Sequence, residues 1–68
     1  DWQERLRQER AELSGRLDRL RSFLDAYDNR FDDPKQQAHV ALLTAQRIMM
    51  EAYLQILDQR LAMLPLDT

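Results

Sequence analysis

Apolar residues recur along the first part of the chain with the spacing of an α-helix. They follow one another at steps of seven, four, three, four and three residues: Leu6, Leu13, Leu17, Leu20, Leu24 and Tyr27. Together with Phe23, these residues lie on one face about 120° wide. The pattern predicts helix one over residues 1–27. Gly15 lies inside it, at a cost of about 1 kcal/mol relative to Ala, and marks either a close helix approach or a tolerated defect.

The residues that favour turns are gathered in one segment, which predicts a loop over residues 28–33. Asp33 has the side chain of an N-cap, and Pro34 suits the first helical position because its missing N–H is harmless there. Helix two is expected over residues 34–64, since Pro65 stops it.

Helix two has a broader apolar face than helix one, about 200° wide, and one neighbouring helix cannot cover it. Its members are Leu42, Leu43, Ala45, Met49, Met50, Ala52, Leu54, Ile56, Leu57, Leu61 and Met63. A chain of 68 residues buries only about 60% of its unfolded surface, and this one has no Cys for a disulfide or a thiolate metal site. We therefore expect an all-α single domain over residues 1–68, an antiparallel two-helix hairpin that assembles into a compact helical homo-oligomer.

A row of polar residues crosses this apolar face at intervals of seven: His39, Gln46, Tyr53 and Arg60. Such a row either fixes the register of an oligomer or lines a ligand pocket. A buried guanidinium needs an anion beside it. Arg60 should therefore face a bound phosphate or a carboxylate. The candidate carboxylates are those of Glu9, Glu12 and Asp58.

Further arginines border the apolar face of helix one, at Arg5, Arg16 and Arg19. Two of them have a glutamate four residues away, the spacing of ordinary ion pairs on a solvated helix face. Trp2 can pack against the end of helix two or stack on a nucleobase.

Composition excludes several function classes. Ten basic against twelve acidic residues give a formal charge of −2, which disfavours a DNA- or RNA-binding protein. No apolar run reaches the length of a membrane span and no signal peptide pattern is present, so we expect a cytoplasmic protein that does not enter a membrane. No catalytic or metal-binding motif appears, so we expect neither an enzyme nor a cofactor nor a metal site.

Most of the chain, from Trp2 to about Leu64, resembles a family of small phage hairpin proteins. That family includes the second anti-CBASS protein and shares its hairpin with the first Thoeris anti-defence protein. The resemblance lies in two patterns, Trp2-x-x-Arg5-x-x-x-Glu9-x-x-Glu12-Leu13-x-x-Arg16-Leu17-x-Arg19-Leu20 and Leu42-Leu43-x-x-Gln46-x-x-x-Met50-x-x-Tyr53-x-x-Ile56-Leu57-x-x-Arg60-Leu61.

The resemblance implies a sponge without catalytic activity, hexameric in that family. Such a sponge binds cyclic oligonucleotide immune messengers, cyclic di- or trinucleotides, and blocks anti-phage signalling in the cytoplasm of the infected bacterium. By residue type and position, the phosphate partners would be Arg5, Arg16, Arg19 and Arg60, and the stacking groups Trp2 or Tyr53. The alternative is an oligomeric protein–protein interaction module without a nucleotide ligand, in which Arg60 pairs with a carboxylate across an interface.

Overall fold

The computed structural model describes residues 1–28, 30 and 33–64. Within them the chain forms two helices, α1 (Trp2–Ala26) and α2 (Pro34–Ala62), which pack against each other. They run antiparallel, because side chains near the start of α1 contact side chains near the end of α2. The predicted all-α two-helix hairpin is confirmed. Parts of the predicted loop, at residues 29, 31 and 32, and the predicted stop at Pro65 lie outside the described residues.

Both helices begin at an aspartate whose side chain caps the first turn. The carboxylate of Asp1 accepts a hydrogen bond from the backbone N–H of Glu4 at 2.9 Å. Asp33 does the same for the N–H of Gln36 at 2.7 Å, directly before Pro34. Each cap satisfies a backbone donor that has no partner within its helix. The N-cap predicted from the sequence is therefore present.

The helices end slightly earlier than the sequence pattern suggests, α1 by one residue and α2 by two. After Ala26, Tyr27 has extended backbone angles (φ −72°, ψ 132°), which ends α1. After Ala62, the N–H of Met63 bonds to the carbonyl of Arg60 at 3.2 Å. This bond spans three residues instead of four, so it tightens the final turn of α2 and ends the regular helix.

The core is a thin line of leucines between the two helices. Leu6, Leu13, Leu17 and Leu57 are buried. Other side chains of α2, and one beyond its end, pack against this line: Met50, Leu54, Leu61 and Leu64. Leu57, which the sequence assigned to the broad face reaching other subunits, thus serves the hairpin itself. Most of the remaining face is exposed: Leu42 is 71%, Met49 69%, Ile56 51% and Met63 65% accessible.

Gly15 is a tolerated defect in α1, because α2 does not approach it closely. A Cβ atom added there would meet one neighbouring atom, Nη1 of Arg19, at 3.8 Å. That distance is an ordinary van der Waals contact.

The hairpin is a rod of 57 × 16 × 15 Å with a radius of gyration of 16.1 Å. A compact chain of this length would have a radius of gyration of about 11 Å. The accessible surface is 5544 Å², against about 4,500 Å² for a typical compact monomer of this mass. A single hairpin therefore leaves an unusually large area exposed. Neither described helix is long and apolar enough to cross a lipid bilayer.

Candidate functional site

The two sides of the helix pair differ in how their charges are satisfied. One side, which we call the paired flank, is defined by Arg10, Arg21, Arg47, Glu51 and Asp58. Nε of Arg10 lies 2.8 Å from Oδ1 of Asp58. Oε1 of Glu51 lies 3.6 Å from Nε of Arg21 and 3.7 Å from Nε of Arg47. The charges of this flank are largely neutralised within the hairpin.

The other side, the open flank, is defined by Trp2, Glu9 and Arg16 of α1 and by Gln46, Tyr53 and Arg60 of α2. Two contacts establish it. The hydroxyl of Tyr53 donates a hydrogen bond to the carboxylate of Glu9, and Trp2 and Arg60 line one hollow. The contacts are seven residues apart on each helix. The same register, continued by two turns, brings Arg16 to the level of Gln46.

A hollow of about 210 Å³ opens where the start of α1 meets the end of α2. It is lined by Trp2, Arg60, Met63 and Leu64. Trp2 shares this hollow with residues at the end of α2 and remains 44% exposed. An arginine and a half-exposed tryptophan thus border the same hollow at this end of the hairpin.

Arg60 has no carboxylate partner among the described residues. Of the three candidates from the sequence, Asp58 pairs with Arg10. Glu9 accepts a hydrogen bond from Tyr53, and Glu12 forms no ion pair with Arg60 within residues 1–28, 30 and 33–64. The predicted carboxylate partner is therefore absent from the described residues. The sequence expected a buried guanidinium, but Arg60 is exposed in the hairpin, so solvent satisfies it there and the hairpin itself does not require an anion beside it.

Arg5, Arg16 and Arg19 are exposed on α1. The ion pairs suggested by their spacing to Glu9 and Glu12 are not formed in the described part of the chain. These guanidiniums are therefore open to a ligand or another subunit. Along the helix axis Arg16 and Arg19 lie about 21 and 25 Å from Trp2. One small ligand therefore cannot touch Trp2 and either of these arginines within one hairpin.

Tyr53 is held by its hydrogen bond, and this bond changes its acidity. The bond to the Glu9 carboxylate raises the pKa of Tyr53, and partial burial and the negative charge of Glu9 act in the same direction. The positive charge of Arg60 acts in the opposite direction. Sequence analysis named Glu9 only as a candidate partner for Arg60 and did not predict its contact with Tyr53. Its seven-residue spacing from Trp2, matching that of Tyr53 from Arg60, was the signal that could have found it.

A second hollow, of about 470 Å³, lies on the outer face of α2 next to the open flank. Its lining is largely apolar and consists of Gln46, Met49, Met50, Ala52, Tyr53 and Ile56. Two members of the polar row predicted from the sequence, Gln46 and Tyr53, thus border this hollow, and Arg60 borders the other.

Comparison with known protein families adds an independent finding. Residues 1–63, nearly the whole chain, match the family described as Sequestin. The chain belongs to the Sequestin family. The name indicates that Sequestin proteins sequester a molecule, which is consistent with the resemblance to phage anti-CBASS and Thoeris sequestering proteins. No curated protein and no solved structure matches the chain.

Proposed function

We propose that this Sequestin is a non-catalytic sponge for cyclic oligonucleotide immune messengers, cyclic di- or trinucleotides. By holding them in the cytoplasm of an infected bacterium, it would block anti-phage signalling. One observation carries the proposal: Arg60 lies beside the half-exposed Trp2 and has no carboxylate partner among the described residues.

Nucleotides suit this pair of side chains because they combine phosphates with flat bases. A guanidinium forms strong, charge-assisted hydrogen bonds to phosphate oxygens. An exposed aromatic ring offers a surface on which a base stacks. The open flank adds the ring of Tyr53, and α1 adds Arg5, Arg16 and Arg19 as further phosphate partners.

We propose that the sponge is a homo-oligomer, a hexamer as in the family that it resembles. Its seam is the exposed stripe of α2, at alternating steps of three and four residues: Leu42, Ala45, Met49, Ala52, Ile56 and, one further heptad step on, Met63. Alternating steps of this kind pair helices in coiled coils. The hairpin exposes about 1,000 Å² more than a compact monomer of its mass, and a stable interface takes about 800 Å² from each partner.

A second copy on this stripe would also complete the ligand site. The stripe borders the open flank, because both include residues that line the 470 Å³ hollow. A neighbouring subunit would therefore lie over the flank and carry its own α1 arginines toward Arg60. This removes the difficulty that Arg16 and Arg19 are too far from Trp2 within one chain.

Calorimetric titration tests the proposal, with the mass of the protein measured by light scattering. The probes are cyclic di-AMP, cyclic di-GMP, cyclic GMP–AMP and cyclic tri-AMP, together with ADP-ribose and cyclic ADP-ribose. The expected result is tight binding of a cyclic oligonucleotide at fewer than one ligand per chain, by particles of six times 8.1 kDa. If only the ADP-ribose compounds bind, the proposed ligand class, cyclic oligonucleotides, is wrong, while the proposed sequestering role still stands.

The second candidate is an oligomeric interaction module that assembles through the exposed stripe of α2, binds a protein partner and has no nucleotide ligand. The observation in its favour is the size of the apolar area that the stripe leaves accessible. Under this candidate Arg60 pairs with a carboxylate across an interface. A stable oligomer that gives no heat with any probe would support it against the sponge.

A further inference from the structure

Glu9 stands out on the open flank because it is an acidic residue among unpaired arginines. It is partly buried, and its carboxylate accepts a hydrogen bond from Tyr53. Among the described residues it forms no ion pair with an arginine. Arg5, four residues earlier on α1, has the spacing of an ion-pair partner and does not form one. The negative charge of Glu9 is thus retained at the level of Tyr53.

A carboxylate attracts a different part of a nucleotide than a guanidinium does. It only accepts hydrogen bonds, and it offers about four acceptor positions, of which Tyr53 occupies one. It repels phosphate and attracts N–H donors. The exocyclic amino groups of adenine and guanine are among the donors that a nucleobase offers at its edge.

We propose that Glu9 reads the base of the bound ligand by accepting hydrogen bonds from its exocyclic amino group. The inference rests on the proposed function and deepens it, since it assigns separate places to the two ends of a nucleotide. The phosphate lies at Arg60, and the base edge lies at Glu9. The two levels are seven residues apart on each helix, about 10 Å, a separation that a single nucleotide spans.

Tyr53 is a positioning residue in this arrangement. Its hydroxyl donates to Glu9, which holds the carboxylate in place, and its own ring is fixed in return. The contact joins the two helices across the open flank, so the acceptor is in place before the ligand binds. An acceptor that is already ordered loses little conformational freedom on binding.

The test compares two ligands that differ in a single group. One is the tightest-binding cyclic oligonucleotide of the panel, and the other is its analogue with hydrogen in place of the amino group, purine riboside for adenosine or inosine for guanosine. The wild-type protein should prefer the amino ligand by at least about tenfold, as a hydrogen bond to a charged group implies.

Two substitutions at position 9 should lower the preference for the amino ligand to different extents. Glu9→Gln keeps a neutral acceptor and should lower the preference, because charge-assisted bonds are about twice as strong as neutral ones. Glu9→Met has a similar size and no acceptor of comparable strength, and should lower the preference to within about twofold. Glu12→Gln, one turn further along α1, is the matched control and should leave the preference unchanged.

The outcomes separate this inference from the function on which it rests. A preference that persists in Glu9→Met, or equal weakening for both ligands, would overturn it and leave Glu9 as a tether between the helices. Wild-type protein that binds none of the cyclic oligonucleotides would overturn the proposed function and this inference together. Melting curves by circular dichroism identify a variant that fails to fold. If Glu9→Met does so, Glu9→Gln decides between the outcomes, because it still accepts a hydrogen bond from Tyr53.

Discussion

The paired and open flanks both contain arginines and acidic residues, and these charges are satisfied differently on the two sides. On the paired flank, Arg10 and Arg21 of α1 reach Asp58 and Glu51 of α2. On the open flank, Arg60 and Arg16 have no such partner among the described residues, and Glu9 is bonded to a tyrosine instead of an arginine. A chain with a formal charge of −2 therefore still presents a side with free guanidiniums.

The difference shows that net charge does not describe how charges are distributed over the surface of so small a protein. Exposed ion pairs such as those of the paired flank add little to stability. Their main consequence is to remove charges from those available to a ligand. What an anionic ligand would meet is set by the arginines that remain, and the arginines proposed as phosphate partners lie on the open flank or on the adjoining surface of α1.

The largest effect is expected from a charge placed on the exposed stripe beside the open flank. Ile56→Asp would bury an unpaired carboxylate in the proposed subunit interface, which is strongly unfavourable. Light scattering should show the mass fall to that of one chain, 8.1 kDa, with ligand binding lost as well. Gln55 is exposed on the same helix toward the paired flank, so the control variant Gln55→Asp should keep both the oligomer mass and ligand binding. An Ile56→Asp protein of unchanged mass would exclude the stripe as the seam.

The two flanks are compared directly by removing Arg60 from the open flank and Arg10 from the paired flank, with Arg19 on the adjoining surface of α1 as a third variant. Arg60→Ala should weaken cyclic oligonucleotide binding by more than about 1.5 kcal/mol, or more than about tenfold, as the loss of a charge-assisted contact does. Arg19→Ala should act in the same direction. Arg10→Ala removes an equal charge from the paired flank and should leave the affinity within about twofold. Titration calorimetry on the three variants decides the matter, and equal losses in Arg60→Ala and Arg10→Ala would contradict the distinction between the flanks.

Alkaline titration probes the hydrogen bond between Tyr53 and Glu9 on the open flank. Tyr53 has its pKa raised above the ordinary value of 10.0 by Glu9, so the unfolded chain loses this proton at a lower pH than the folded chain. The stability contributed by the contact is thus present below about pH 10 and is lost as the pH rises through the raised pKa. Wild type should lose stability faster than Tyr53→Phe above about pH 10 in urea denaturation. Parallel curves would show that the contact is absent in solution.

Much of the fold could be predicted from the sequence because local signals determine it. The leucine spacing of α1 and the caps at Asp33 and Pro34 depend only on neighbours along the chain. The division of the apolar face of α2 could not be predicted in this way. Whether Leu57 or Ile56 faces α1 depends on how one helix is rotated against the other, and periodicity alone leaves that angle open.

The candidate site was predictable in kind and not in arrangement. Trp2 and Arg60 could be proposed from residue type, and the structure brings them to one hollow. The pairing of Asp58 with Arg10 and of Glu9 with Tyr53 depends on the register between helices. In that register Asp58 and Glu9 contact other residues and do not pair with Arg60. The positions of the charges along the chain do not reveal this.

The smallest effect is expected at Gly15, which lies on α1 away from both flanks. Gly15→Ala should raise the free energy of unfolding by about 0.5–1 kcal/mol, because alanine restricts the unfolded chain and favours helix. The added Cβ would meet one atom, Nη1 of Arg19, at 3.8 Å. Urea denaturation measures the gain, and ligand affinity should stay unchanged. A loss of stability with a change in mass would instead mean that another subunit packs on Gly15, and α1 as well as the stripe of α2 would then belong to the oligomer interface.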